Sequence, residues 1–231
     1  MCGRFNVTSN MRQVAQVLQA KIPDLMETSI RLPDYNIAPT HAIAAATQDH
    51  EREIGVFRWG LLPSLSTDPR MGSRLINARS ETVHDKPMFR QSVSGQRCLV
   101  LCDGYYEWQR TTSGRKQPYY FRLPDAEPMI FAGLWARNER LEGKVIETFC
   151  VITVPANVAA AVVHDRMPAI LDRDGRSQWL DAKGVKRAEL LSCLRPWPGE
   201  IEVLPVSTLV NNPANNSDRC IQALAADTKS I

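Results

Sequence analysis

Hydrophobic and polar positions alternate along this chain in short runs that predict more strands than helices. Helical spacing is clearest in residues 8–20, which we predict to form a helix capped by Thr8 or Ser9. The apolar face of this helix consists of Met11, Val14, Ala15 and Leu18. An amphipathic helix of this kind packs against a larger apolar surface, and we expect it to cover part of a sheet.

Runs of apolar or alternating residues bounded by turn signals predict the strands of that sheet. These runs lie at residues 42–47, 53–59, 98–102, 105–109, 118–123, 129–135, 147–154 and 201–206. Residues 36–40 form an extended segment before the first of them, and residues 178–194 read as a helix. The pattern favours an α+β fold, with a curved, mostly antiparallel β-sheet and a few helices packed outside it.

The length of 231 residues, of which 44% are hydrophobic, suits one substantial core. No stretch of the sequence reads as a linker, so we expect a single domain over residues 1–222 and a disordered tail at residues 223–231. The opening residues are polar, and no apolar run approaches the roughly 18 residues that a membrane span needs. We therefore expect a cytoplasmic protein with no membrane partner.

Cysteine and histidine positions argue against a bound metal. The cysteines at 2, 98, 102, 150, 193 and 220 include no C-x-x-C pair, and none of the four histidines stands at zinc spacing from them. We expect the internal cysteines to act as small apolar core residues, as is usual for a cytosolic chain. No cofactor is implied by the sequence.

The formal net charge of +3 is too small to indicate a nucleic-acid partner by itself. Most basic residues are arginines, however, and Arg58, Arg70, Arg74, Arg79, Arg90 and Arg97 follow one another closely. The planar guanidinium matches phosphate oxygens better than the lysine ammonium does. A solvated face laced with salt bridges is the alternative, and composition does not separate the two.

A buried strand pair carries the first candidate catalytic group. Residues 98–102 are continuously apolar, Asp103-Gly104 is a turn signal, and the chain leads out again through residues 105–109. Alternation places Tyr105 and Glu107 on one face of the second strand. A carboxylate among aromatic residues is desolvated and suits general acid catalysis, whereas the alternative is a solvent-facing glutamate on an edge strand.

Two further polar groups have an ordinary interpretation beside a catalytic one. In an extended backbone Asn77 and Arg79 point to the same face, but Asn77 would also cap a short helix through Val83. His164 stands next to Asp165 in an otherwise apolar run, where hydrogen bonds can orient an imidazole for proton transfer. A single histidine is also a common satisfied polar group of a core.

Cys2 offers chemistry that no other position of a protein has. Once Met1 is removed, its α-amine and thiol form a 1,2-aminothiol, which condenses with an aldehyde as a Schiff base and then closes a thiazolidine ring. Both groups have a usable nucleophilic fraction near neutral pH, and the second bond forms intramolecularly. The alternative is that a cysteine at this position is an accident of a flexible terminus.

Several motifs in a fixed order decide between these interpretations, and they extend from residue 2 to about residue 220. The motifs are Cys2-Gly3-Arg4-Phe5, Asn36-Ile37-Ala38-Pro39-Thr40, Trp59-Gly60-Leu61-Leu62-Pro63, Asn77-Ala78-Arg79-Ser80-Glu81-Thr82, Asp103-Gly104-Tyr105-Tyr106-Glu107-Trp108, Lys116-Gln117-Pro118-Tyr119, Ala132-Gly133-Leu134-Trp135 and His164-Asp165-Arg166-Met167-Pro168. Together they resemble the SRAP family (SOS response-associated peptidase). The resemblance implies a barrel-like β-rich fold and a protein of the DNA damage response that acts on abasic sites in single-stranded DNA.

The resemblance also implies roles for individual residues. Cys2, Asn77, Glu107 and His164 are expected to be catalytic, with Cys2 forming a covalent thiazolidine DNA–protein crosslink that protects the lesion. The expected DNA contacts are Arg4, Arg79, Arg74, Trp59 and Pro39. We expect a monomer that binds abasic single-stranded DNA. Ser64-Leu65-Ser66 departs from the family, because many relatives carry aromatic residues there, and stacking on bases at that point is in doubt.

Two other function classes fit the same residues. An N-terminal cysteine with an asparagine and a histidine also fits a cysteine peptidase or amidohydrolase, including one that processes its own terminus. A non-covalent single-strand-binding module, in which Cys2 has no chemistry, is the third class. Failure of the Schiff base to close its ring would give an abasic-site lyase by β-elimination.

Overall fold

The computed structural model describes residues 2–24, 30–48, 51–110, 114–141, 143–180 and 187–224. The strands are β1 (Phe5–Val7), β2 (Asp34–Ile37), β3 (Ala42–Gln48), β4 (Arg52–Trp59), β5 (Asn77–Arg79), β6 (Arg97–Cys102), β7 (Gly104–Arg110), β8 (Lys116–Arg122), β9 (Met129–Asn138), β10 (Ile146–Pro155), β11 (Arg166–Pro168) and β12 (Glu202–Pro205). The helices are α1 (Met11–Leu18), α2 (Met71–Arg74), α3 (Pro87–Gly95), α4 (Val158–Ala161), α5 (Arg173–Leu180) and α6 (Arg187–Ser192).

The strands form two sheets, one of which closes on itself. In the larger sheet the order is β11-β10-β4-β3-β6-β9, and β9 pairs back with β10, so that β10, β4, β3, β6 and β9 make a ring. All pairings within the ring are antiparallel except β10 with β4. The α+β fold with a barrel-like, mostly antiparallel sheet is therefore confirmed.

The smaller sheet has the order β12-β8-β7-β1-β2 and packs over the ring. Phe5 of β1 contacts Trp59 with ring centroids 4.9 Å apart and Phe131 of β9 at 6.2 Å. Tyr105 of β7 meets the same Phe131 at 6.2 Å. The side chains that β1 and β7 send toward the ring thus form one continuous core with it.

The outer face of the smaller sheet is covered by the carboxyl-terminal segment, residues 206–220. Tyr106, Tyr120, Val206, Val210 and Cys220 form a second apolar cluster there. The side-chain amide of Asn36 donates to three backbone carbonyls of this segment. The acceptors are Val210 O at 3.3 Å, Asn212 O at 3.0 Å and Asn215 O at 2.8 Å.

The strands predicted from alternation all appear, with ends shifted by a few residues. The helix predicted at 8–20 is α1, but its cap is Asn10 and not Thr8 or Ser9. Asn10 and Gln13 form a reciprocal capping box, whereas Thr8 bonds the Asp103 carboxylate through its amide and its hydroxyl. The helix predicted at 178–194 falls partly on residues 181–186, which lie outside the described part; on either side of them stand α5, which ends at Leu180, and α6, which begins at Arg187.

Two expectations concern the ends and the cysteines. The tail predicted at 223–231 begins with a residue that pairs with the rest of the fold, since Ala223 forms a β-bridge with Val206. Residues 225–231 lie outside the described part.

All six cysteines are unpaired thiols, and every one except the half-buried Cys193 is buried. Among the described helices none is long and apolar enough to cross a membrane.

Buried thiols make the fold sensitive to alkaline pH. Burial raises the pKa of Cys2, Cys98, Cys102 and Cys150 well above the ordinary value. These thiols stay protonated in the fold but ionise at about pH 8.5 in the unfolded chain, so the unfolded state binds fewer protons above that pH. We predict that the free energy of unfolding falls as the pH rises beyond about 8.5.

Denaturant unfolding at a series of pH values under reducing conditions measures this slope. Cys150→Ala should make the slope shallower because it removes one of the linked thiols. A free energy of unfolding that stays constant up to about pH 10 would contradict the linkage.

Candidate active site around Cys2

Cys2 lies in the core between the two sheets, three residues before β1. It is fully buried, and its carbonyl oxygen accepts a hydrogen bond from the side-chain amide of Asn77 at 2.7 Å. Asn77 begins β5, which pairs in parallel with β10 at Val151. The extended alternative for Asn77 is therefore the observed one, and the helix-cap alternative is wrong. Met1 lies outside the described residues.

Glu107 faces the same interior from β7. The strand lies between β8 and β1, so it is not an edge strand, and Glu107 is only 5% exposed. Phe5 and Tyr105 are directly paired across β1 and β7, which brings the segment that carries Cys2 alongside the face of β7 that carries Glu107. The interpretation of Glu107 as a solvent-facing edge residue is wrong.

The environment holds the Cys2 thiol in its protonated form. Burial raises the pKa of this thiol far above its ordinary value, and the nearby negative charge of Glu107 raises it further. The sulfur donates a weak hydrogen bond to the carbonyl of Arg4 at 4.0 Å. A thiol in this setting is not ionised at rest, so it needs a base to remove its proton before it can act as a nucleophile.

His164 lies in the turn between α4 and β11, with its side chain 29% exposed. Its Nδ1 is 2.8 Å from the Asp165 carboxylate and also 3.0 Å from the backbone N–H of Arg166. A neutral ring can accept from that N–H, and a protonated ring can donate to the carboxylate. Both protonation states of His164 therefore have a partner, as proton transfer requires.

A hydrogen bond joins β7, which carries Glu107, to the turn that carries His164. The side-chain amide of Gln109, on the same face of β7 as Glu107, donates to the carbonyl of Val162 at 2.6 Å. Asn77 and Arg79 at the other side pair with Val151 and Thr153 of β10, to which β11 is also paired. The fold therefore gathers Cys2, Asn77 and Glu107 in one place and brings the turn of His164 to its margin.

An ion pair that sequence reasoning missed fixes this arrangement. The guanidinium of Arg166 binds both carboxylate oxygens of Glu81, with Nη2 to Oε2 at 2.9 Å, and also donates to the carbonyl of Thr153 at 2.7 Å. It ties the chain after β5 to β11, which follows His164. The sequence did hold one indication of this pair. Glu81 and Arg166 have opposite charges, and each lies in a family motif beside an apolar run.

The residues expected to contact DNA differ in exposure. Arg74 and Arg79 are exposed, whereas Arg4 is partly buried and its Nη1 donates to Asn36 Oδ1 at 2.7 Å and to Val210 O at 2.6 Å. Its guanidinium also lies over the ring of Trp108, 5.7 Å from the centroid. Burial lowers the pKa of Arg4. Arg4 therefore joins β1 to the carboxyl-terminal segment.

The expectation that Trp59 contacts DNA is contradicted by its burial. The side chain is 1% exposed, its indole N–H donates to the carbonyl of Ile76 at 2.9 Å, and its ring packs on Phe5 and Phe149. A ring in this position supports the core and is not available to DNA. Pro39 is half-buried in the turn before β3, and Leu65 is exposed at 72% beyond the loop that begins at Trp59.

These features define the class as an α+β protein with a ring of strands and a buried cysteine-centred site near its amino terminus. The family described as "SOS response associated peptidase (SRAP)" matches residues 1–213. The chain belongs to this family, as its motifs predict.

Curated relatives carry consistent names. This chain is 35% identical over 225 residues to "Abasic site processing protein YoqW" of Bacillus subtilis (strain 168), a match that covers 96% of this chain and 100% of the relative. It is 36% identical over 225 residues to "Abasic site processing protein YoaM" of the same organism, covering 96% and 98%. It is 36% identical over 202 residues to "Abasic site processing protein HMCES" of Xenopus tropicalis, covering 78% and 60%.

Solved structures share the fold. The crystal structure of a protein from Bacteroides thetaiotaomicron superposes with a TM-score of 0.87 at 26% identity, covering 97% of this chain and 100% of the other. That of a phage-related protein from Bordetella bronchiseptica gives a TM-score of 0.66 at 28% identity, covering 89% and 94%.

The ion pair of Arg166 with Glu81 gives a testable prediction. The Arg166 guanidinium lowers the pKa of Glu81, whose side chain is 47% exposed. Because solvent screens the half-exposed carboxylate, we predict that Glu81→Gln lowers the free energy of unfolding by only about 1 kcal/mol at neutral pH. The Glu81 contribution is present above its unfolded pKa of about 4.3 and is lost as the pH falls through the folded value.

Denaturant unfolding of both proteins at neutral and acidic pH measures this difference. Glu139→Gln is the matched control, since its pair with Arg137 is exposed at both ends and should contribute little. Equal losses in the two variants would contradict a special role for the Arg166 pair.

Proposed function

We propose that this chain, after removal of Met1, captures abasic sites in single-stranded DNA as a thiazolidine formed by Cys2. The observation that carries the proposal is the placement of the buried Cys2, whose carbonyl accepts a hydrogen bond from Asn77 at 2.7 Å and whose thiol pKa is raised by burial and by the charge of Glu107. The choice of an abasic site as the substrate rests on the curated relatives, which are named abasic site processing proteins.

The DNA strand is bound through its phosphates. Arg74 and Arg79 are exposed guanidinium groups on either side of Asn77, so they can hold phosphates next to the captured sugar. Contacts of this kind give affinity that depends on salt and little on sequence. Arg4 contributes indirectly by joining β1 to the carboxyl-terminal segment, and the half-buried Pro39 stays a predicted contact. An abasic sugar lacks a base to stack and therefore turns inward at low cost.

The first bond forms between the α-amine of Cys2 and C1′ of the opened sugar. Glu107 takes the proton of the C1′ hydroxyl and returns a proton to the ring oxygen, which breaks the C1′–O4′ bond and gives the aldehyde. The amine adds to C1′, and the resulting carbinolamine loses its hydroxyl as water to give the Schiff base. His164 supplies the proton for that water and then takes up the N–H proton that the carbinolamine loses.

The second bond closes the ring. Glu107 accepts the thiol proton of Cys2, the sulfur adds to C1′, and Glu107 passes that proton on to the imine nitrogen, so that the product is a neutral thiazolidine. Because the thiol is buried and protonated at rest, the amine reacts first and the sulfur follows. The covalent product shields the lesion. An unclosed Schiff base would instead eliminate at the sugar and cleave the strand, which is lyase chemistry.

The same observation weighs against thiolate-first peptidase chemistry. A cysteine peptidase needs a thiol whose pKa is lowered by an imidazolium or a helix terminus, whereas here burial and Glu107 raise it. A non-covalent binding module is also less favoured, because it gives no role to the buried cluster of Cys2, Asn77 and Glu107.

Replacement of Cys2 tests the proposal. We predict that Cys2→Ala loses the heat-stable adduct with abasic single-stranded DNA by about a hundredfold or more, because the nucleophilic sulfur is gone. Its remaining α-amine should still give a Schiff base that borohydride traps and should increase strand cleavage. Denaturing gels and intact mass measure both products. Cys193→Ala, which alters a half-buried thiol elsewhere, is the matched control.

A stable adduct of Cys2→Ala without reductant would refute the thiazolidine. Absence of any adduct in the parent protein, with Met1 removal verified by mass, would favour the peptidase or binding-module alternatives.

Glu107 and pH give a second test. We predict that Glu107→Gln slows adduct formation by about a hundredfold, because the base for the sugar and the thiol is lost. The parent rate should rise from neutral to alkaline pH, since a raised thiol pKa means that the thiolate fraction grows with pH. In Glu107→Gln the rise should begin at lower pH, because the negative charge that raises the Cys2 pKa is removed. Single-turnover rates over the pH range measure this, and an unchanged profile would contradict the role.

A further inference from the structure

Tyr105 is a buried residue of the site for which the proposed chemistry gives no role. It lies on β7 opposite Phe5 and is 0% exposed. Its ring stacks on Phe121 with centroids 4.6 Å apart and planes 8° apart, and it meets Phe131 edge-on at 6.2 Å. The ring is therefore held from two sides, and the position of its hydroxyl is determined by the core.

The hydroxyl of Tyr105 has no hydrogen-bond partner in the described part of the chain, although it is buried. Buried polar atoms without partners are rare and reduce stability, so each calls for an explanation. The next residue behaves normally, since the hydroxyl of Tyr106 on the opposite face of β7 donates to the carbonyl of Tyr35 at 2.7 Å. Tyr105 thus differs from its neighbour on the strand, and its hydroxyl lies on the face that belongs to the site.

Three groups that become negative when they ionise act on this hydroxyl. Burial raises the pKa of Tyr105 well above its ordinary value, and Cys2, Glu107 and Cys102 raise it further, in that order. Tyr105 and Glu107 lie on one face of β7, two residues apart. The hydroxyl therefore stays protonated and has Cys2 as its leading electrostatic neighbour.

We propose that the Tyr105 hydroxyl donates a hydrogen bond to the Cys2 sulfur when that sulfur loses its proton during ring closure. At rest the neutral thiol is a weak acceptor, which explains why the hydroxyl is unpaired. Once Glu107 has taken the thiol proton, the thiolate is a strong acceptor in a site of low polarity, where a donor already in place needs no reorganisation. This inference rests on the proposed function, which makes Cys2 sulfur a reacting atom.

Tyr105→Phe tests the inference because it removes only the hydroxyl and keeps the ring packing. We expect adduct formation with abasic single-stranded DNA to slow about tenfold and its rise with pH to move up by about one pH unit, since a hydrogen bond to a charged group is lost. The thermal unfolding midpoint should stay the same or rise, because an unpaired buried hydroxyl is removed. Tyr106→Phe is the matched control, with a lowered midpoint and an unchanged rate.

A second readout does not depend on DNA. The rate at which iodoacetamide alkylates Cys2, measured on the amino-terminal peptide from neutral pH to about pH 9, reports the thiolate fraction. Cys2→Ala sets the background. We expect Tyr105→Phe to lower this rate about tenfold at each pH, because its thiolate is less stabilised.

The outcomes separate the two proposals. Slower alkylation in Tyr105→Phe supports the hydroxyl contact even if the parent forms no adduct, in which case the proposed function alone fails. Equal alkylation in the two proteins overturns the inference even if the parent forms the adduct. If Tyr105→Phe and the parent form the adduct at equal rates and the variant has the higher unfolding midpoint, Tyr105 only fills space in the core and the inference is overturned.

Discussion

Burial of Cys2 between two sheets is the constraint on which the rest of the structure depends. The segment before β1 reaches the interior because β1 pairs with both β2 and β7, and Asn77 fixes the Cys2 carbonyl from the opposite sheet. Asn77 is available for this bond only because β5 is extended and pairs with β10. A short strand that contributes little to the core therefore determines where the reactive residue lies.

In the proposed reaction, burial also sets the order in which the two bonds to the sugar form. Water stabilises a thiolate, so removing water from Cys2 and adding the charge of Glu107 keep the sulfur neutral until a proton acceptor acts. The α-amine has the lower ordinary pKa, about 7.8 against about 8.5 for a thiol, so it is the first of the two groups to offer a nucleophile. The same carboxylate thus restrains the thiol at rest and receives its proton later. Membership of the SRAP family and the relatives named as abasic site processing proteins fit this division of work.

Sequence reasoning recovered the fold class because most strands of the ring are long enough to show periodicity, and residues 98–102 of β6 are all apolar since both faces of this strand are buried. It did not predict β1, β5 or β11 as strands, because three residues carry no measurable period and pair only through distant partners. The motifs located Cys2, Asn77, Glu107 and His164, but a motif does not distinguish a surface residue from a core residue. Trp59 was therefore misread, and the Glu81–Arg166 pair and the unpaired Tyr105 hydroxyl emerged only when tertiary contacts were known.

The contact of Arg4 with Val210 joins the two ends of the polypeptide. Asn36 grips the same carboxyl-terminal segment through three carbonyls, and Arg4 lies two residues from the reactive cysteine. Truncation before residue 210 would therefore remove one of the two acceptors that hold the Arg4 guanidinium and loosen the strand that follows Cys2, although the deleted residues lie far away along the chain. For the proposed reaction any affinity tag belongs after residue 224, since the α-amine at the opposite end must be left unblocked.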